Sequence, residues 1–295
     1  MQMFRMVVYF RRQAMRRYLP ETLLACCLVL TSLVCGCCMC WGWPGKEHYE
    51  RTEQLSASMA GIERIKIDTS FGDVKIRGAD TTECNATAKI NGRAPTLEEA
   101  QQLAEQTKIT LVAEDKVLVF KVEKPNLKNN RSIGISYDVT VPTRTGIKCE
   151  TSFGKVELKN ITGDVDAKTS FGKIDAENIT GNVQLDTSYG EVDCEGITTG
   201  YFSAKSSFGK MDIDFSDACP ADIRAKIETS FGEVDVDIPH NFAGDIAVET
   251  SFGSVKTELP ITVKGDVSKT RIDGTIGQGK GRMDLKTSFG SIKIK

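Results

Sequence analysis

The chain has 295 residues, 40% of them hydrophobic and 26% charged, with a formal net charge of −2 at pH 7. That length allows one large or two small domains with an ample core. The near-neutral balance, with no basic block after Arg17, excludes an electrostatic footprint for nucleic acid.

The first segment is a different material from the rest. Residues 1–20 carry Arg5, Arg11, Arg12, Arg16 and Arg17 without an acid, and residues 22–45 carry no charge at all. A basic head followed by an apolar run reads as an export signal or an N-terminal membrane-anchor helix, here assigned to residues 1–44. Met1 and Met15 both serve as starts for such a segment. Six cysteines crowd into it (Cys26, Cys27, Cys35, Cys37, Cys38 and Cys40). The order Val34, Cys35, Gly36, Cys37 resembles a bacterial lipoprotein cleavage box, which makes Cys37 the candidate lipidation site. Cys35 departs from the small or aliphatic residue expected there, so an uncleaved anchor stays open beside the lipoprotein.

Residues 45–60 are polar and read as a spacer off the membrane. Residues 61–146 hold a first strand–corner–strand phrase, TSFGDVKI from Thr69, and then an excursion. In that excursion Pro95 to Thr107 has proline at the start, early acids, and Leu97, Ala100 and Leu103 at helical spacing, which predicts a short amphipathic helix. KITLVAED, KVLVFKVEK and ISYDVTVP read as strands, the last stopped by Pro142. The excursion is expected to form a small α+β cap over one open end of the repeat array, where unpaired backbone invites edge pairing.

Residues 147–295 repeat the phrase. Its eight copies in the chain start at Thr69, Thr151, Thr169, Thr187, Ser206, Thr229, Thr250 and Thr287, 18 residues apart in the best-kept stretch. A fixed short period means one supersecondary unit stacked on itself. Two residues past each corner glycine the residue is apolar, as in Val156, Ile174 and Val192; the next is charged, as in Glu157, Asp175 and Asp193. That alternation is a strand with one buried face. The corner glycines Gly72, Gly154, Gly172, Gly190, Gly209, Gly232, Gly253 and Gly290 are expected to take turn or bulge dihedrals. A second corner, NITG from Asn160 and from Asn178, leaves two strands per coil. The prediction is a mainly β fold: a single-stranded, β-helix-like solenoid of about 18–23 residue coils. Phe153, Phe171, Tyr189 and Phe208 are expected to stack as an inward ladder. The interval from Thr250 to Thr287 is 37 residues, which reads as two coils, the middle one decayed to GDVSKTRIDGTIG. The closing SIKIK reads as a lysine-protected open edge. Cys149 and Cys194 fall in inward columns; Cys84 and Cys219 fit none, and pairing is not decided by sequence.

These phrases, with Tyr137-Asp138-Val139-Thr140-Val141-Pro142 just before the main array, resemble the bacterial putative-adhesin family of exported domains of unknown function. The resemblance covers about residues 60–295. It implies a β-helix-like fold and a cell-envelope setting, and brings no catalytic or binding residues, because fold is not function.

For activity, His48 and His240 are the two histidines, and no GxSxG, HExxH or phosphate loop is present,. Asp175, Asp193, Asp212 and Asp235 form a column of the kind that some carbohydrate-cleaving β-helices use, but strand alternation alone accounts for them. No catalytic residue, cofactor or metal is expected. The expected function is a non-catalytic, adhesin-like contact module tethered to a membrane in the cell envelope, with an unidentified protein or surface ligand as partner. The alternatives are a scaffold assembling through the solenoid ends and an envelope-stress regulator.

Overall fold

The computed structural model describes residues 47–127, 130–264 and 268–295. The segment read as signal or anchor, Cys37 included, lies outside the described residues. The chain opens with β1 (Glu47–Ser58), followed by β2 (Arg64–Phe71) and β3 (Val74–Ala79) around the Gly72 corner. The excursion is β4 (Glu83–Ala94), helix α1 (Leu97–Gln106), β5 (Lys108–Glu114), β6 (Val117–Glu123) and β7 (Ser132–Pro142). Corner pairs come next: β8 (Gly146–Phe153) with β9 (Val156–Thr162), then β10 (Val165–Phe171) with β11 (Ile174–Thr180). After them are β12 (Val183–Tyr189) with β13 (Val192–Ile197), and β14 (Tyr201–Phe208) with β15 (Met211–Phe215). Beyond β16 (Arg224–Phe231) with β17 (Val234–Asp237) lies β18 (Gly244–Phe252) with β19 (Val255–Thr257). The chain closes with β20 (Thr262–Val263), β21 (Arg271–Ile276), β22 (Gly281–Phe289) and β23 (Ile292–Ile294).

Among the described residues these strands make two sheets, of 11 and 12 strands, facing each other across one core. Each coil gives one strand to each sheet and pairs in parallel, in register, with its neighbours: Thr169 lies between Thr151 and Thr187, Ile174 between Val156 and Val192. The inward columns are buried as their alternation requires, Cys149 and Cys194 among them. This is the mainly β, solenoid-like architecture that the repeat predicts. At the second corner Asn160 and Asn178 adopt left-handed backbone (φ 57° and 55°), a region asparagine tolerates,, and Asn178 Nδ2 donates to Asn160 Oδ1 at 3.3 Å.

The structure corrects three of the sequence readings. The polar stretch at 45–60 is not a spacer from residue 47 onward: Glu47–Ser58 is a twelve-residue strand paired along its length with β4. Its inner column is half-buried: Tyr49, Leu55 and Ala57 pack against the core, and Arg51 and Glu53 between them break the apolar pattern that would reveal a strand. The excursion lengthens both sheets at one end rather than only covering them. β7, β4 and β1 extend one sheet and β6 with β5 the other, while α1, capped by Thr96 Oγ1 accepting from the Glu99 amide, packs on β4 and β1.

The third correction concerns the far end. The copy beginning at Thr287 does not succeed the Thr250 copy in space. β22 lies between β16 and β18, and β23 between β17 and β19. The closing SIKIK is therefore interior, not an edge. The stretch read as a decayed coil is instead antiparallel: β21 pairs with the outer side of β18, and β20 with β21. With that side of β18 covered, the slot open to a further parallel strand is the inner one, and the last phrase fills it.

Candidate functional site: an exposed aromatic ladder

The repeated phrase makes three columns at each corner, and each has a physical cause. From Thr151 on, the threonine or serine at its start is buried, and its hydroxyl donates to the carbonyl of the corner glycine one coil away: Thr169 Oγ1 to Gly154 O at 3.2 Å, Thr187 to Gly172 at 3.2 Å, Thr287 to Gly232 at 3.1 Å; half-buried Thr69 donates to Ile135 O instead. Those glycines stack so closely that a Cβ on any one of Gly154, Gly172, Gly190, Gly209, Gly232, Gly253 or Gly290 would fall on the carbonyl oxygen of the next glycine along. Gly72, at the first coil, meets the carbonyl of Ile135 in the same way. Backbone approach, more than dihedral freedom, sets the glycine column. Gly172, outside the left-handed φ region, needs glycine as much as Gly154 at φ 156°.

The third column is the aromatic one, and it corrects the sequence reading again. Phe171 keeps the parity of Val165, Ala167 and Thr169, yet its ring lies outside, 46% exposed, while those three are buried. The inside of the corner is already occupied by Thr169 and Ile174, so the ring is left on the outer edge. Stacking still holds. Phe71, Phe153, Phe171, Tyr189, Phe208, Phe231, Phe289 and Phe252 form one file, with centroids 4.7–5.0 Å apart and planes within 8° of parallel. Seven such spacings give a ridge of about 34 Å along a solenoid edge,. Each ring is 42–66% exposed. Together they leave several hundred Å² exposed, on the order of the roughly 300–600 Å² of the largest apolar patch on a typical monomer,.

The ridge has a quiet border. On one side runs a file of serines, Ser152, Ser170, Ser188 and their equivalents; on the other, the residue after each glycine is of mixed sign or neutral, as in Asp73, Lys155, Lys173, Glu191, Lys210 and Ser254. Those lysines, with Lys295 just after β23, tie up the acidic column. Lys173 Nζ lies 2.9 Å from both Asp175 and Asp193, Lys210 2.6 Å from Asp212, and Lys295 3.1 Å from Asp235. The hydrogen bonds that the Lys173 ammonium donates to Asp193 and Asp175 hold it above its ordinary range. The four aspartates are in register across neighbouring strands, but each is engaged by a lysine, which suits a solvated ladder better than an acid–base pair. Among the described residues no group of three or more His, Cys, Asp or Glu is arranged to hold a metal.

His240 sits in an exposed loop with its Nδ1 2.8 Å from Asp217 Oδ1. Hydrogen bonding to Asp217 holds the imidazole pKa up, and hydrogen bonds from the His240 amide and ring hold the Asp217 carboxyl down. The body cysteines Cys84, Cys149, Cys194 and Cys219 are free and buried. Burial pushes the Cys84 and Cys149 thiols up to about 12, so they behave as packing groups. Among the described residues no helix is long and apolar enough to cross a membrane.

A family profile described as Toastrack DUF4097 matches residues 62–226, more than half of the chain. Solved structures with similar chains include one described as a putative cell adhesion protein from Clostridium sporogenes, at 18% identity. It aligns over 84% of this chain and 99% of that one, with a TM-score of 0.39. A putative adhesin from Bacteroides fragilis aligns at 15% identity over 85% and 99%, with a TM-score of 0.37. A putative lipid binding protein from Parabacteroides distasonis aligns at 15% over 83% and 97%, with a TM-score of 0.36. No curated protein matches the chain.

Proposed function

This chain belongs to the Toastrack DUF4097 family, and from that premise we propose that it is a non-catalytic contact module of the cell envelope, tethered through its N-terminal segment and working through the aromatic ridge. The observation that carries this reading is the ridge itself: eight exposed rings held in one line by a two-sheet frame. Apolar surface of that extent, left open on a rigid body, is a binding surface in waiting. Rigidity matters because every ring is already in place, so contact requires little further ordering. The uncharged run at residues 22–45 supports the tether, and Cys37 is the residue proposed to carry a lipid.

Assembly through the solenoid ends finds less support. At one end lie β1, with Glu47, Glu50, Arg51 and Glu53 along it, and the antiparallel β5. At the other, the outer strands are the three-residue β19 and the two-residue β20. Short, charged or antiparallel edges resist further parallel stacking.

The test places a photo-cross-linking phenylalanine analogue at Tyr189 and, separately, at Thr180 on the opposite corner, in a C-terminally tagged chain in cells, beside a Cys37→Ala copy. Adducts concentrated at position 189, with a tag released from the membrane by Cys37→Ala, are the expected result. Equal or absent adducts at the two positions remove the ridge from the function. An unchanged membrane association in the Cys37→Ala copy removes the lipid.

A further inference from the structure

What the ridge touches can be narrowed by its own geometry and by where the chain enters the body. Along the file the ring faces are spent on each other: at 4.7–5.0 Å with near-parallel planes, no gap admits a flat group between them, and apart from the end of the file at Phe252 they present edges outward. Sugars and bases bind aromatic side chains by lying on ring faces, so neither fits this surface. The border carries no sustained charge of one sign, which gives an acidic or basic partner nothing to read. A straight, rigid, uncharged line of aromatic edges matches a partner that is apolar, continuous and indifferent to register.

The entry point of the chain adds an independent constraint. Along the line of the ladder, Gly134 stands beside Phe71, with an added Cβ 3.6 Å from the Phe71 Cβ. Gly134 pairs with Asn91, and Asn91 with Glu50. Glu50 therefore continues the ridge line three strands, about 14 Å, beyond Phe71, and Glu47 lies past it on the ridge side. In sequence the uncharged run ends at Gly45, two residues before Glu47 opens β1, and Cys37 stands ten residues before Glu47.

We propose that the aromatic ridge lies along a lipid surface, so that the solenoid rests on its edge on the membrane that holds its N-terminal segment and turns its two charged sheet faces to solvent. This rests on the tether reading above. Aromatic side chains favour the bilayer interface, and attachment there grows with the apolar area buried. A body joined at the ridge end of its first strand, ten residues or fewer along the chain from its tether, brings the file of rings down onto the surface as it settles.

The test uses the full chain in vesicles of three parts phosphatidylethanolamine to one part phosphatidylglycerol, with and without bromine on the acyl chains near the headgroups. In the native chain, quenching of Trp41 and Trp43, its two tryptophans, reports the tether alone. In a Trp41→Phe/Trp43→Phe background, Tyr189→Trp reports the middle of the ridge, Phe252→Trp its far end, and Thr180→Trp the opposite corner. Emission from positions 189 and 252 is expected to fall by roughly half or more, with position 180 unchanged. The loss should survive high salt, because the contact is not an ion pairing. Phe252, 66% exposed at the end of the stack, keeps the test sound should a tryptophan at 189 disturb packing. Quenched Trp41 and Trp43 with silent reporters at 189 and 252 overturn the proposal and leave the tether standing. Unquenched Trp41 and Trp43 remove the tether instead. Ridge reporters that stay silent while sedimentation shows dimers lost on Phe171→Ser assign the ridge to a second copy and overturn the lipid contact.

Discussion

Thr250 donates its hydroxyl to the carbonyl of Gly290 at 2.8 Å, the same bond that Thr169 makes to Gly154. Here, though, the acceptor comes 40 residues later in the chain rather than 15 earlier. The two coils are neighbours in space in the reverse of their sequence order. The last coil is a keystone: β22 is flanked by β16 and β18, and Phe289 by Phe231 and Phe252.

Deleting Gly281–Lys295 should therefore open the solenoid from inside. Amide hydrogen exchange resolved by peptide is expected to show β16, β18 and β21 losing most of their protection while β8, β10 and β12 keep theirs. Unaltered protection in β18 would mean that the Thr250 coil can restack directly on the Thr229 coil.

The glycine file predicts a sharp contrast between two substitutions. Gly172→Val forces a side chain onto the Gly154 carbonyl, whereas a Cβ at Gly200 meets nothing within 4 Å. Chemical denaturation should find Gly172→Val destabilised by about 3 kcal/mol or more. Gly200→Ala should stay within roughly 0.5 kcal/mol of the parent.

Thr169→Val keeps shape and burial but removes the donor to Gly154. A half-buried carbonyl left without its partner should cost about 1 kcal/mol. The same change at Thr187 should add to it only in part, because the two coils are in contact. A double-mutant cycle in urea measures both terms.

The His240–Asp217 pair predicts a small pH effect with a definite sign. A raised histidine pKa stabilises fully below its ordinary value of 6.5 and fades as pH climbs through the raised value,. A lowered aspartate pKa stabilises above 3.8 and fades as pH falls through the lowered one,. The contribution is thus largest between pH 3.8 and 6.5 and is weakened by solvent, since both groups are exposed,. In an NMR titration, Asp217→Asn should bring the His240 midpoint down toward its ordinary value; an unmoved midpoint would sever the link.

The thiols offer a check on the core. At about pH 8, Cys84 and Cys149 should resist alkylation in the folded chain and react on unfolding, since burial holds both at about 12,. Labelling read by peptide mass separates them from the six N-terminal cysteines.

Much of this molecule was determined by its sequence alone. The spacing of Thr69, Thr151, Thr169 and their fellows sets the coil, the alternation about Val156, Ile174 and Val192 sets its inner face, and Gly172 marks a corner because only a residue without Cβ lets two coils close. These are local matters of period and steric size. The tertiary structure decided what the repeat leaves degenerate. Near-identical phrases pair equally well in any order, so the place of Thr287 between Thr229 and Thr250 comes from β21 covering the outer side of β18. The parity of Phe171 matches that of Thr169, so only the filled inside of the corner turns the ring to solvent. In β1 the apolar column of Tyr49, Leu55 and Ala57 is interrupted by Arg51 and Glu53, so the pairing with β4 is what shows the strand. That pairing, together with the outward turn of the rings, puts the chain's point of entry and its aromatic ridge on the same edge.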